Sequence, residues 1–290
     1  MENSNMNLAE ALMRASAFLE KNGFDPNLAR TYWLILFDQT LTDYVQIARE
    51  KVNKSDWDKY VKVLHRIVKH EPIQYILGWA DFMGNRFKVT PATLIPREET
   101  VHLVQLASQY LSKNPEAIVL DIGTGSGIIA ISLAMTYPKA SIYAIDISRD
   151  ALKIAKENAK KYQVDIEWFE SNLLSELPKE MSFDLIVSNP PYIGENELDM
   201  MDESVKKHEP KRALFANKDG YDIYERLAKE LPNKLNKDGQ IVLEIGYNQG
   251  QKVKKLFEAS FSNYLVEIKK DFNQLDRNIV VWKGESDETE

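Results

Sequence analysis

The chain is predicted to be α/β, with a mostly parallel sheet covered on both faces by helices and a small helical bundle in front of it. Three observations carry this expectation. From Ala117 onward, short apolar runs alternate with segments of helical period. Residues 1–75 show helical period alone. Between the two regions, Met83-Gly84-Asn85 forms a turn signal flanked by short extended runs, the mark of a β-hairpin. At 290 residues, 44% hydrophobic and 28% charged, the chain has the length and composition of a soluble protein of two domains.

The elements follow in order. Leu8, Leu12, Ala15 and Leu19 share one face of a helix that starts near Asn7 and stops before Gly23. Asp25-Pro26 is a second start signal, with an N-cap side chain and proline at the first helical position. Leu28, Tyr32 and Ile35 then face one way. Ser55 is read as the cap of a third helix carrying Trp57, Val61, Leu64 and Val68, ended by Pro72. The aromatic residues Tyr32, Trp33, Phe37, Trp57 and Tyr60 are assigned to the core of this bundle. Residues 76–95 form the hairpin linker, and 96–284 the α/β domain. Arg97 to Leu111 has helical period. Strands are expected at 117–122, 141–147, 166–170, 184–188, 240–245, 264–270 and 278–282, and helices at about 127–136, 149–162, 220–235 and 249–259. The last two strands lack an intervening helix, so they form an antiparallel pair at one side. The acidic segment 285–290 reads as a frayed tail.

Composition excludes several chemistries. The formal net charge of −7 and a pI near 5.4 argue against extended binding to a phosphate backbone. The absence of cysteine rules out disulfides, thiolate metal sites and cysteine nucleophiles. The histidines His65, His70, His102 and His208 are scattered without ligand spacing, so no metal is expected. No G-x-S-x-G elbow or Walker loop is present. The lysines from Lys252 to Lys255 read as a solvated helix face. Residues Met1 to Asn7 lack the pattern of a secretory leader, and no apolar run approaches the roughly 20 residues of a membrane span, so a cytoplasmic location is expected.

One strand ends in Asp121-Ile-Gly-Thr-Gly-Ser-Gly127. In an open α/β sheet, ligands sit at the carboxyl ends of the strands. Gly123, Gly125 and Gly127 allow a tight turn and close approach of backbone to ligand. The next strand ends at Asp146, where an acidic residue typically receives ribose hydroxyls. The spacing differs from the dinucleotide pattern, and Asp121 would repel a pyrophosphate. It suits a cationic, amine-bearing ligand such as S-adenosylmethionine.

A second apolar run, Asp184 to Ser188, leads into Asn189-Pro190-Pro191-Tyr192. Amide and exocyclic amino nitrogens are poor nucleophiles because their lone pair is delocalised. The Asn189 side-chain oxygen and the Pro190 carbonyl can accept both N–H groups of such a nitrogen and favour its shift toward tetrahedral geometry. The two prolines stiffen the turn, and Tyr192 offers a flat face for a planar group. Methyl transfer to an amide or amino nitrogen, by in-line displacement, is the chemistry these residues fit.

Together these residues resemble the bacterial protein-(glutamine-N5) methyltransferases that modify peptide chain release factors. The matching segments are Glu71 to Gly78, Phe87 and Val89 with Thr93 to Arg97, the glycine loop, Ser188 to Tyr192, His208 to Pro210 with Ala213-Leu214, and Leu243 to Gly246. The resemblance spans nearly the whole chain. It implies a seven-stranded, Rossmann-like class I methyltransferase sheet behind a helical domain that docks the release factor. It implies S-adenosyl-L-methionine as cofactor, held by Gly123, Thr124, Gly125, Ser126, Gly127, Asp146, Asn172, Leu173 and Asn189, with S-adenosyl-L-homocysteine as product. It gives the glutamine amide to Asn189, Pro190, Pro191 and Tyr192, with Asn189, Pro190 and Tyr192 as the catalytic set. Asn172 departs from the aspartate usual at its position, and Glu98 stands where proline often follows the arginine. The partners implied are class-1 release factors, with no stable nucleic-acid binding, no membrane and a monomeric state. Two rivals remain: an adenine-N6 methyltransferase acting on DNA or RNA, which the acidic pI disfavours, and a cofactor-sensing scaffold without turnover, which the intact Asn189 box disfavours.

Overall fold

A computed structural model describes residues 6–284. The chain divides into two compact units. One contains the chain up to Gly78 together with Asp202–His208; the other contains Trp79–Met201 and the chain from Glu209 onward.

The first unit is helical. Helix α1 (Leu8–Lys21) has a capping box, with Asn7 and Glu10 each bonding the other's backbone N–H. Its buried face is Leu8, Ala11, Leu12, Ala15 and Leu19. Helix α2 (Leu28–Phe37) begins after a turn in which the Asp25 carboxylate accepts the Asn27 N–H. The residues α2 buries are Ala29 and Trp33. Of the expected stripe, Leu28 and Tyr32 pack against this core as partly buried residues, flanking the buried pair. A short helix, α3 (Leu41–Ile47), went unread in the sequence, since seven residues show too little period. Helix α4 (Lys54–Ile67) is capped by Asn53 and not by Ser55: the Asn53 side chain accepts from the Ser55 and Asp56 N–H groups. It ends at Val68, ahead of Pro72, which instead precedes helix α5 (Ile73–Leu77). Trp57 and Tyr60 are fully buried, and the Tyr60 hydroxyl donates to the Ala29 carbonyl at 2.6 Å.

The second unit opens with the hairpin β1 (Trp79–Phe82) and β2 (Asn85–Lys88), narrower than the expected 76–95. Phe82 and Phe87 enter the core of the α/β unit. After helix α6 (Thr100–Lys113), strand β3 (Ile118–Ile122) leads into α7 (Ile128–Thr136), β4 (Ser141–Asp146), α8 (Arg149–Tyr162), β5 (Glu167–Glu170) and β6 (Phe183–Ser188). Asn158 of α8 bonds both the N–H and the carbonyl of Lys88, which ties the hairpin to the sheet layer. Short helical turns follow β6, then a helix over Asp222–Glu230 and strand β7 (Leu235–Glu244). The helix expected at 220–235 is shorter because Pro232 lies in a 3₁₀ turn, and β7 begins five residues before the expected 240. Helix Gly250–Ser260, β8 (Leu265–Lys270) and β9 (Asp276–Trp282) complete the unit. The expected tail at 285–290 lies outside the described residues.

The sheet order is β5-β4-β3-β6-β7-β9-β8, with β9 antiparallel to both neighbours and the other described pairings parallel. Side chains alternate between two cores. Val119, Leu185, Val187 and Val242 pack beneath α6 and α7; Leu120, Ile122, Ile186 and Leu243 pack on the opposite face with Tyr224, Leu227, Val253 and Phe257. The chain winds outward from β3 to β5 and returns at β6, so the switch point lies between β3 and β6, where ligands bind in open α/β sheets.

Candidate active site

The loop after β3 and the turn after β6 leave adjacent parallel strands at the switch point. Ile122 and Ser188 are register partners, and the Ser188 hydroxyl donates to the Ile122 carbonyl at 2.7 Å. Neighbouring strands lie about 5 Å apart. The glycine loop and the Asn-Pro-Pro-Tyr turn therefore start side by side.

Gly123, Gly125 and Gly127 all have positive φ, at 72°, 57° and 83°. The three serve different ends. A β-carbon at Gly123 or Gly125 would meet nothing within 4 Å, which leaves open space over the loop. At Gly127 it would lie 3.1 Å from the Ala155 β-carbon, so this glycine permits the close approach of α7 and α8. Thr124 and Ser126 are buried structural members: the Thr124 hydroxyl donates to Asp121 Oδ2 at 2.7 Å, and the Ser126 carbonyl accepts from Asn158.

Asp121 is fully buried, and its Oδ2 also accepts the Ala130 N–H. Its Oδ1 has no partner. Burial raises this carboxyl to about 7, against the opposing Thr124 and Ala130 hydrogen bonds. Asp146 Oδ2 accepts the Gly125 N–H at 2.9 Å and Oδ1 accepts the Ser148 N–H at 2.8 Å. Burial raises Asp146 from its ordinary value, opposed by those N–H groups and by Arg212. Ser171, beyond β5, donates its N–H to the Asp146 carbonyl, so the Asn172-Leu173 turn begins beside Asp146. Leu173 takes a positive φ of 54°, a costly conformation for a bulky residue, and packs against the core. Asn172 is exposed, and its side-chain oxygen accepts from Arg226.

Asn189 Nδ2 donates to the Thr100 hydroxyl at 3.1 Å, and that hydroxyl donates to Glu244 Oε2 at 2.8 Å. Thr100 and Glu244 are each only 1% exposed. Burial raises the Glu244 carboxyl to about 7. With Nδ2 directed to Thr100, the Asn189 Oδ1 is left as the acceptor for a guest. Tyr192 is half-buried against the second core; its carbonyl accepts Gln249 Nε2 at 2.8 Å, while Gln249 Oε1 accepts the Gly246 N–H. Among the described residues no donor bonds to the Pro190 carbonyl. Thr100, Glu244 and Gln249 escaped the sequence reading as site residues. The one available signal was Glu244, a carboxyl closing the apolar run of β7.

Among the described residues, no cluster of His, Asp or Glu side chains could hold a metal ion, and no helix is long and apolar enough to cross a membrane. Lys252 is exposed, as expected of a solvated face, and its ammonium also lies 3.6 Å from the Tyr221 ring centroid, a cation–π contact.

Residues 10–78 match the PrmC N-terminal domain, and residues 104–209 match the Methyltransferase small domain. The chain is 42% identical to the release factor glutamine methyltransferase of Lactococcus lactis over 272 residues, covering 94% of this chain and 98% of that one. It is 38% identical to the protein of the same name from Streptococcus pneumoniae over 283 residues, covering 97% and 100%. A methyltransferase from Pyrococcus furiosus shares the fold, with a TM-score of 0.50 at 17% identity over 76% of this chain and 97% of that one. The sheet is accordingly a class I methyltransferase sheet. Identity sustained along almost the full length of both chains makes this protein a member of the release factor glutamine methyltransferase family.

Proposed function

We propose that this chain transfers a methyl group from S-adenosylmethionine to the side-chain amide nitrogen, N5, of a glutamine. The substrate is the glutamine of the Gly-Gly-Gln motif in class-1 release factors. The names of the full-length relatives support the substrate. One observation of geometry carries the chemistry: an amide oxygen at Asn189, fixed by a buried network, stands beside a glycine loop that contains an orphaned carboxylate oxygen.

The residues fit the cofactor. Asp121 Oδ1 is a buried acceptor without a partner, suited to an α-ammonium group. The space above Gly123 and Gly125 admits a ligand that side chains would obstruct. Asp146 retains lone pairs for ribose hydroxyls, and Leu173 supplies an apolar wall for a base. Bound there, S-adenosylmethionine supplies an electrophilic methyl group.

The chain's own residues act on the acceptor. Asn189 Oδ1 and the Pro190 carbonyl accept the two amide N–H groups and aim the nitrogen lone pair. Tyr192 packs beside the planar amide. Positioning supplies most of the rate enhancement, because neither acceptor is a strong base. The proton that the nitrogen loses after transfer passes to water. We assign residues 1–75 to docking of the release factor and 76–95 to the connection.

Mass spectrometry of purified release factor incubated with this protein and S-adenosylmethionine tests the reading. A gain of one methyl on one glutamine is expected. Asn189→Ala should lower turnover by about 100-fold or more, while cofactor binding stays measurable. Methyl transfer to adenine in nucleic acid, with none to release factor, overturns the reading.

A further inference from the structure

We propose that Thr100 and Glu244 are positioning residues: the buried Glu244 carboxylate decides, through the Thr100 hydroxyl, which end of the Asn189 amide faces the substrate. The inference rests on the amide methylation proposed above and extends it to groups that do not touch the substrate.

Donor and acceptor accounting carries it. A threonine hydroxyl has one proton to give. Ionised Glu244 is acceptor-only and takes that proton at 2.8 Å. The hydroxyl can then serve Asn189 only as an acceptor. Asn189 must present Nδ2 to it, which turns Oδ1 toward the guest. Protonated Glu244 permits the reverse chain: its O–H donates to Thr100, the Thr100 proton points to Asn189, and the amide flips. Oδ1 is then occupied, and Nδ2 faces the N–H groups it was meant to bind. Two donors confront each other, and the clamp is lost. The three groups are buried or half-buried, so water is poorly placed to substitute for a missing partner.

The surroundings place this switch in an accessible range. Burial raises Glu244 to about 7, opposed by the Thr100 hydrogen bond. Arg277 on β9 and Arg97 ahead of α6 favour its ionised form, while Glu99 disfavours it. Tyr192 faces it from the Asn-Pro-Pro-Tyr turn, and the Tyr224 hydroxyl donates to its main-chain carbonyl. His102 of α6 bonds Asn278, the cross-strand partner of Glu244. Turnover should therefore fall on the acid side as Glu244 takes up a proton.

The test has two arms. The first is the NMR signal of the Asn189 side-chain amide, assigned by its loss in Asn189→Asp. In wild type it should titrate with a midpoint near that of Glu244, and the titration should vanish in Glu244→Gln and in Thr100→Val. The second is the pH profile of kcat on release factor. Thr100→Val should lower kcat about 10- to 100-fold with the cofactor Kd unchanged, and Thr100→Ser should restore it. Glu244→Gln should remove the acid limb. An Asn189 signal that does not titrate in wild type overturns the proposal. So does a folded Thr100→Val enzyme with wild-type kcat, or an unchanged acid limb in Glu244→Gln. If wild type methylates no release factor, the substrate reading fails while the NMR arm still decides the role of Glu244.

Discussion

Asp121 shows how far a single side chain can be read. The sequence places a carboxylate at a strand end before three glycines, and chemistry selects a cationic guest. Burial raises this carboxyl to about 7 without a guest. An ammonium group beside Oδ1 favours the ionised form, so binding should release a proton at and below neutral pH. Affinity for S-adenosylmethionine should accordingly rise with pH and level off above about 7. Calorimetry in buffers of different ionisation enthalpy measures the proton directly. Asp121→Asn should flatten the dependence and weaken binding about 10-fold or more, as expected for loss of a buried charge partner. Burial raises Asp146 as well, so any slope left in that variant belongs to it. The position of Asn189 was equally legible, because the apolar run before it marks the strand that it follows. Thr100 was not. It stands 89 positions from Asn189 and looks like any helix-start threonine until the fold brings it to the amide.

Elements were legible where their period is long. Strands β3 to β6, α7 and α8 lie within about two residues of expectation, since buried apolar runs and full amphipathic turns carry strong signals. Between Ile193 and Asp219 no helix or strand was expected from the sequence, and the structure has helical pieces of four to six residues. Two of them meet the chain just after the Asn-Pro-Pro-Tyr turn: the Ile193 N–H donates to the Leu214 carbonyl, and the Ala216 N–H donates to the Ile193 carbonyl. Lys218, Asp219 and Gly220 are consecutive residues with φ of 53°, 55° and 89°. A β-carbon at Gly220 would sit 2.1 Å from the Tyr192 carbonyl oxygen and 2.7 Å from Gln249 Nε2. Gly220→Ala should therefore displace the Gln249 clamp, destabilise the protein by about 2 kcal/mol or more, and lower kcat more than it weakens cofactor binding. Denaturant titration beside turnover measurements checks both effects. Gly127→Ala acts elsewhere: it should push α7 from α8 at Ala155, with a similar stability loss. Equal stability of that variant and wild type counts against close packing as the reason for the third glycine.

At the scale of the molecule, each unit has its own core, and the α/β unit stores an electrostatic cost in its site. Two carboxyls buried there, Asp121 and Glu244, lie at about 7 in the folded state against ordinary values of 3.8 and 4.5. A raised folded value means that the native state binds more protons than the unfolded chain between those limits. Stability from this source is full below about pH 4 and is lost as pH rises toward about 7. Denaturant unfolding of the α/β unit at about pH 5 and about pH 7 should show the loss, and Asp121→Asn with Glu244→Gln should reduce it. An identical difference between the two pH values in the double variant removes these carboxyls as the cause.

Local chemistry and periodicity were enough to specify the layered α/β architecture, the glycine turn, the carboxylates near the ends of two strands and the turn at Asn-Pro-Pro-Tyr. Each is a short-range pattern whose physical meaning survives without its neighbours. Folding alone decided that β3 and β6 run side by side, and that Thr100, Glu244 and Gln249 converge on one turn. Those relations join residues far apart in the chain, and a linear pattern holds no information about which distant hydroxyl or carboxyl will be buried against a given amide. The direction in which the Asn189 amide points is of that second kind, because it is settled by where one proton of Thr100 finds its acceptor.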